Sequence, residues 1–187
     1  MSMERYATGR RHPAASCSAF THIVRRLPRD KRSKQPPHQP VEYTRHKIRA
    51  WSRPGVRIFI QRLLDEGYDV GTWTSATSAT AVPLLTHVLG ADLFNSLSIK
   101  AYREFCLPNP GQGRKPWATK KVISQLLTAH PAYDEQRTIL VDDSPDKMLE
   151  NLPERCIPIP SYCATNLAID YLSDRTLHLV AEEIIAI

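Results

Sequence analysis

The sequence predicts an α/β protein built on a doubly wound, mostly parallel sheet. Three observations carry that prediction. Short apolar or β-branched runs of strand length recur at residues 68–74 (YDVGTWT), 139–141 (ILV) and 156–159 (CIPI), with stretches of helical period between and around them. The run Ile139, Leu140, Val141 is apolar on consecutive residues, which suits a parallel strand covered on both faces. Directly after it come Asp142 and Asp143, then Ser144 and Pro145, a cap residue and a first-turn proline that open a helix. Carboxylates at the carboxyl end of a strand stand where open α/β sheets build their ligand sites.

The amino-terminal part carries little pattern. Residues 1–18 hold Arg5, Arg10 and Arg11 against one acid, Glu4, with no apolar periodicity, the composition of a disordered arm. Organelle transit peptides share that Arg-rich, acid-poor look, but no amphipathic helix is visible. Residues 19–24 (AFTHIV) form the one apolar island before residue 41 and could make one strand. Residues 25–40 (RRLPRDKRSKQPPHQP) are basic and broken by proline, which reads as a linker or solvated loop. The expected organisation is an arm and linker over 1–40 and one folded domain over 41–187.

Pattern improves at Arg53. After Pro54 and Gly55, Val56, Phe59, Ile60, Leu63 and Leu64 recur at helical spacing, closed by Gly67. The strand at 68–74 leads into the polar turn SATSAT, and a helix over about 80–89 turns Val82, Leu85 and Val88 or Leu89 inward. Residues 97–105 supply a short strand, and 106–116, with Pro108, Pro110, Gly111 and Gly113, a loop. Residues 120–130 read as a helix with Val122, Ile123, Leu126 and Leu127 inward. A short helix follows the TILVDD strand, then the strand at 156–159, then a helical tail burying Leu177, Val180, Ile184 and Ile185.

Composition narrows the class. The net charge is +6, but residues 1–53 hold 13 Lys and Arg against 3 Asp and Glu, and the remainder is acidic on balance. The basic character belongs to the arm, which has no interleaved aromatics and no recognisable nucleic-acid reader, so nucleic-acid binding is the weakest reading. No run of 18 apolar residues exists, and no membrane span is expected. Cys17, Cys106, Cys156 and Cys163 lack CxxC spacing and read as reduced thiols, which favours nucleus or cytoplasm, ahead of the mitochondrion.

Three polar features fall at strand ends or on the loops between them: Thr74, Lys115, and Asp142 with Asp143. A hydroxyl, an ammonium and a carboxylate pair are what a phosphate and Mg²⁺ site needs. Each also has a bland reading, as a cap among many hydroxyls, an exposed lysine among many, and a capping turn.

The segments RPGV at 53–56, WTSAT at 73–77 with Pro83 downstream, YREFC at 102–106, RKPW at 114–117, TILVDDSP at 138–145 and NLPERCIPIPSY at 151–162 resemble the CTD-phosphatase-like (NLI-interacting-factor-like) domain of the haloacid dehalogenase superfamily. The resemblance implies that superfamily's Rossmann-like fold and a Mg²⁺-dependent phosphoserine or phosphothreonine phosphatase acting on a phosphoprotein or peptide segment. It implies Thr74 as the phosphate-binding hydroxyl, Lys115 as the lysine that steadies phosphate and nucleophile, and Asp142 and Asp143 as the metal-binding acids, Asp142 first. Active members carry a DxDxT motif whose first aspartate is the nucleophile. This sequence has no DxD, and Asp30 is the one aspartate before Arg53. The expectation is a sheet incomplete at its first strand, with residues 19–24 standing in as the central strand. The function expected is that of a family domain inactive as given, a truncated enzyme or pseudo-enzyme with weak Mg²⁺ binding at most. The alternative is a non-catalytic binding module related to the mitochondrial import translocase subunit of the same superfamily.

Overall fold

The computed structural model describes residues 15–17, 52–111, 116–162 and 174–187. Within them the chain runs β1 (Ala15–Cys17), α1 (Val56–Asp65), β2 (Val70–Trp73), α2 (Ser78–Leu89), α3 (Ala91–Asn95), β3 (Ile99–Ala101), β4 (Leu107–Pro108), β5 (Thr119–Lys120), α4 (Ile123–Leu127), β6 (Ile139–Asp142), β7 (Cys156–Pro158) and α5 (Thr176–Ile185). Single 3-10 turns at Arg103–Phe105 and Pro145–Lys147 follow β3 and β6.

Helix α1 shows how local sequence sets the frame. Val56, Phe59, Ile60 and Leu63 are buried along one stripe. Each contributes about 1.5–3 kcal/mol by leaving water. The helix stops because Gly67 takes a φ of 84°, which lets the Gly67 amide donate to the Leu64 carbonyl and the Tyr68 amide to Leu63. A side chain at 67 would strain that turn.

Five strands form one sheet in the order β3-β2-β1-β6-β7, every neighbouring pair parallel. Side chains along β6 alternate. Ile139 and Val141 join the larger core with α1, α2 and α5, whereas Leu140 joins Trp73, Ile99, Ile123, Leu126 and Met148 on the opposite face. Helices therefore cover both faces, as the expected doubly wound fold requires. Gly71 of β2 lies so close to β3 that an added Cβ would come within 2.9 Å of the Ile99 Cβ. The small residue is what permits that approach.

Several sequence expectations are corrected here. The central place in the sheet belongs to Ala15–Cys17, paired with Val70–Thr72 on one side and Ile139–Val141 on the other. The sheet is thus continuous at its first strand, and residues 19–24, the expected central strand, lie outside the described residues. Three residues suffice because both neighbours pair with them, so position is decided by tertiary pairing and not by local β-propensity. The expected loop at 106–116 contains β4, antiparallel to β5, and the helix expected over 120–130 is confined to Ile123–Leu127. Helix α2 begins at Ser78, ahead of the expected start, and α3 was not foreseen.

Candidate functional site

Strands β1, β2 and β6 all point their carboxyl ends to the same edge, and the polar residues of interest follow those ends. Thr74 comes directly after β2. Its amide donates to the Ala101 carbonyl at 3.0 Å, continuing the pairing with β3. Its side chain is 4% exposed and its hydroxyl accepts from the Ala76 amide at 3.2 Å. Among the described residues no acceptor takes the hydroxyl hydrogen, which leaves Thr74 able to donate. The turn it occupies is held from behind: the Arg103 amide donates to the Ala76 carbonyl at 2.9 Å, and the Thr119 hydroxyl donates to Ser75 Oγ at 2.8 Å.

Asp142 ends β6 and is fully buried on the same face as Leu140. Its Oδ1 accepts from the Ser144 amide at 2.8 Å, so it also closes the turn into the 145–147 helical turn. Its Oδ2 lies 2.6 Å from Lys121 Nζ. The same ammonium donates to the Trp73 carbonyl at 2.7 Å and stands 5.9 Å from the centre of the Trp73 ring. Neither side chain of the Lys121–Asp142 pair is exposed at all. Burial holds the Lys121 ammonium below its ordinary pKa, with the charge and hydrogen bond of Asp142 working the other way. Asp143 points elsewhere, to the hydroxyls of Ser144 at 3.2 Å and Ser161 at 2.9 Å.

The structure thus brings Thr74, Asp142 and Asp143 to one edge of the sheet. Lys115 lies outside the described residues. The lysine set against Asp142 is Lys121, which sequence reasoning assigned to an ordinary helix start. In the structure Thr119 and Lys121 are buried while Lys120 between them is partly exposed, the period of a strand and not of a helix. Apolar Val122 and Ile123 follow at once, so a lysine in that phase is carried inward.

Asp142 and Asp143 offer two carboxylates from one strand end, and each of their oxygens already accepts a hydrogen bond. Among the described residues no three His, Cys, Asp or Glu side chains come together as a metal site. Two carboxylates can anchor Mg²⁺ together with waters and substrate oxygens, but here the ion would have to compete with the Lys121 ammonium for Asp142 and with two serine hydroxyls for Asp143.

No curated protein sequence matches the chain. Solved structures do. Fcp1, described as an essential RNA polymerase II CTD phosphatase, superposes with a TM-score of 0.55 at 16% identity, over 94% of this chain and 52% of that one. A variant of fission yeast Fcp1 bound to beryllium fluoride gives 0.52 at 13% identity, over 94% of this chain and 50% of its own. Both share the fold, and this chain spans about half their length. The family model for NLI interacting factor-like phosphatases matches residues 22–185. On that match, which takes in β2 with Thr74, Lys121 and the Asp142–Asp143 turn, the chain belongs to the NLI interacting factor-like phosphatase family.

Proposed function

We propose that this domain binds the phosphate of a phosphorylated serine or threonine in a protein segment at the ends of β2 and β6, and does so without turnover. The observation that carries the reading is the Lys121 ammonium, enclosed between the Asp142 carboxylate and the Trp73 carbonyl beside Thr74. A bare buried Asp142 would repel a phosphate. Paired with Lys121 it presents no net charge, and the Thr74 hydroxyl has a hydrogen to donate to a phosphate oxygen. Fcp1 is described as a CTD phosphatase. For this chain the corresponding ligand class is a phosphorylated protein segment.

The lack of turnover rests on sequence chemistry. An aspartyl-phosphate needs a carboxylate nucleophile, and the sequence after Cys17 continues Ser18, Ala19, Phe20, Thr21 with no acid. The candidate metal ligands are Asp142 and Asp143. With two carboxylates, Mg²⁺ binding is expected to be weak, and the ion has no part in the binding proposed here.

Calorimetry with a phosphoserine peptide and its unphosphorylated twin, with and without Mg²⁺, tests the reading. Binding of the phosphorylated form alone, with no release of phosphate above background, is the expected result. Equal binding of both peptides would overturn the phosphate assignment. Mg²⁺-dependent hydrolysis abolished by Asp142→Ala would overturn the absence of turnover, and a Mg²⁺ Kd of about a micromolar or tighter would overturn the weak-metal reading.

A further inference from the structure

We infer that Asn151 is a positioning residue for Lys121: its side-chain amide fixes the main chain from which the buried ammonium is aimed at Asp142 and the Trp73 carbonyl. The inference rests on the phosphate-binding reading of Lys121 for its functional meaning, and on geometry alone for the contact itself. Asn151 is buried and lies beyond β6, past the Asp142–Asp143 turn, whereas Lys121 lies before α4. Its Oδ1 accepts from the Ile123 amide at 2.6 Å. Its Nδ2 donates to the Lys121 carbonyl at 2.8 Å and to the Met148 carbonyl at 2.9 Å. Chemistry fixes the orientation of the amide, because only oxygen can receive from an N–H and only nitrogen can give to two carbonyls.

A residue that merely capped α4 would need Oδ1 alone. The helix itself has no capping side chain at Val122, so the Ile123 amide is met from across the chain. The two donated bonds do something different. They hold the Lys121 carbonyl to the Met148 carbonyl through one nitrogen, while the Lys121 amide donates to Lys147 at 2.9 Å. Both main-chain polar groups of Lys121 are therefore tied to residues 147–151, the segment that follows the Asp142–Asp143 turn. A lysine side chain has four rotatable bonds, and its head reaches a fixed carboxylate reproducibly only when its root is fixed.

Asn151→Asp separates the two roles, since it keeps the acceptor for Ile123 and removes both donors. Leu126→Ala is the control. Leu126 is buried in the same α4 core and touches none of these bonds, so it lowers stability without loosening Lys121. Two readouts are taken on the full chain: phosphoserine-peptide affinity, and the ¹H–¹⁵N signal of the Lys121 ammonium in lysine-labelled protein, which a buried, hydrogen-bonded head makes observable. Asn151→Asp is expected to erase the ammonium signal and weaken peptide binding about tenfold, the low end for losing a supporting hydrogen bond behind a functional side chain. Leu126→Ala should keep both. An Asn151→Asp protein with the native signal, or a Leu126→Ala protein that loses it equally, overturns the inference. If the unaltered chain binds no phosphopeptide, the phosphate reading falls while the ammonium signal still decides the positioning role. Should Asn151→Asp not fold, the unaltered protein carries the test, because rapid solvent exchange of the Asn151 amide protons would contradict bonds to two buried carbonyls.

Discussion

Arg53 and Lys121 are surrounded by the same three kinds of group, a carboxylate, a main-chain carbonyl and an aromatic ring, yet they occupy different levels of the molecule. Arg53 meets Asp174 through Nε at 2.8 Å and Nη2 at 3.3 Å, gives Nη1 to the Pro160 carbonyl at 2.9 Å, and lies 5.7 Å from the centre of the Tyr162 ring. It joins the entry to α1, the exit from β7 and the start of α5, three places far apart in sequence. Lys121 makes its corresponding contacts to Asp142 and Trp73 at the strand ends. Guanidinium and ammonium are not equivalent there. The planar, permanently charged fork suits a fixed clasp, whereas a single-headed ammonium can change partners when an anion arrives. The first pair closes the domain, and the second stands at the strand ends proposed above as the phosphate site.

Breaking each pair measures that difference. Lys121→Ala takes the opposing ammonium from Asp142, a carboxylate with no solvent access, and should lower the unfolding free energy by about 3–5 kcal/mol in denaturant titration. Replacing both partners, Lys121→Met with Asp142→Leu, should recover most of that loss, since the penalty belongs to the orphaned charge and not to the missing attraction. Arg53→Ala comes next, at about 1.5–3 kcal/mol, because it removes charged hydrogen bonds while Asp174, 10% exposed where Asp142 is not exposed at all, keeps the bond from the Thr176 amide. Arg53→Lys should restore less than half of it, having no second prong for Asp174. If Arg53→Ala proves costlier than Lys121→Ala, the contrast drawn between clasp and site is wrong.

Acid sharpens the comparison. Burial pushes the Asp174 carboxyl up, but the hydrogen bonds from Arg53 and Thr176 outweigh burial and hold it below the usual carboxylate range. The stabilisation this pair gives is complete above the unfolded carboxylate value, near pH 3.9, and is lost as pH falls through the lower folded value. Urea unfolding between about pH 5 and about pH 3 should therefore show a steeper loss for the unaltered chain than for Asp174→Asn. Parallel slopes would mean that Arg53 does not select the ionised form. The smallest effect is expected at the surface. Lys120 and Glu150 also pair, but both are solvent-accessible, and Glu150→Ala should change stability by no more than about 0.5 kcal/mol.

What the sequence disclosed followed from how local each determinant is. The stripe of α1, the apolar run of β6 and the aspartates at its end are set by spacing within a few residues, and all three stand where spacing put them. The inward face of α5 was legible in the same way, with Leu177, Val180 and Ile184 buried and Ile185 packed at the edge of the core. Ala15–Cys17 was not legible, because three small residues carry no strand signature and are ordered by partners on both sides. Lys121 escaped for a related reason. The apolar residues after it, Val122, Ile123, Leu126 and Leu127, fit a helical period, and that longer pattern hid the extended stretch that begins with β5 and turns Lys121 inward just past its end. Asn151 could not be found from its neighbours, since two of its three partners are main-chain groups of Lys121 and Ile123, distant in sequence.

The place of β1 has a consequence for how this chain acquires its fold. It is made first, yet one of its partners begins at Val70 and the other at Ile139, so most of the domain must exist before its second edge can pair. Closing such long loops costs entropy before any contact offsets it, and parallel pairing offers no hairpin as a shortcut. During synthesis β1 can meet β2 early, but its other edge stays unpaired until residues 139–142 have been made. Refolding should accordingly be slow for a protein of this size, with α1 and α2 formed early and the sheet joined late.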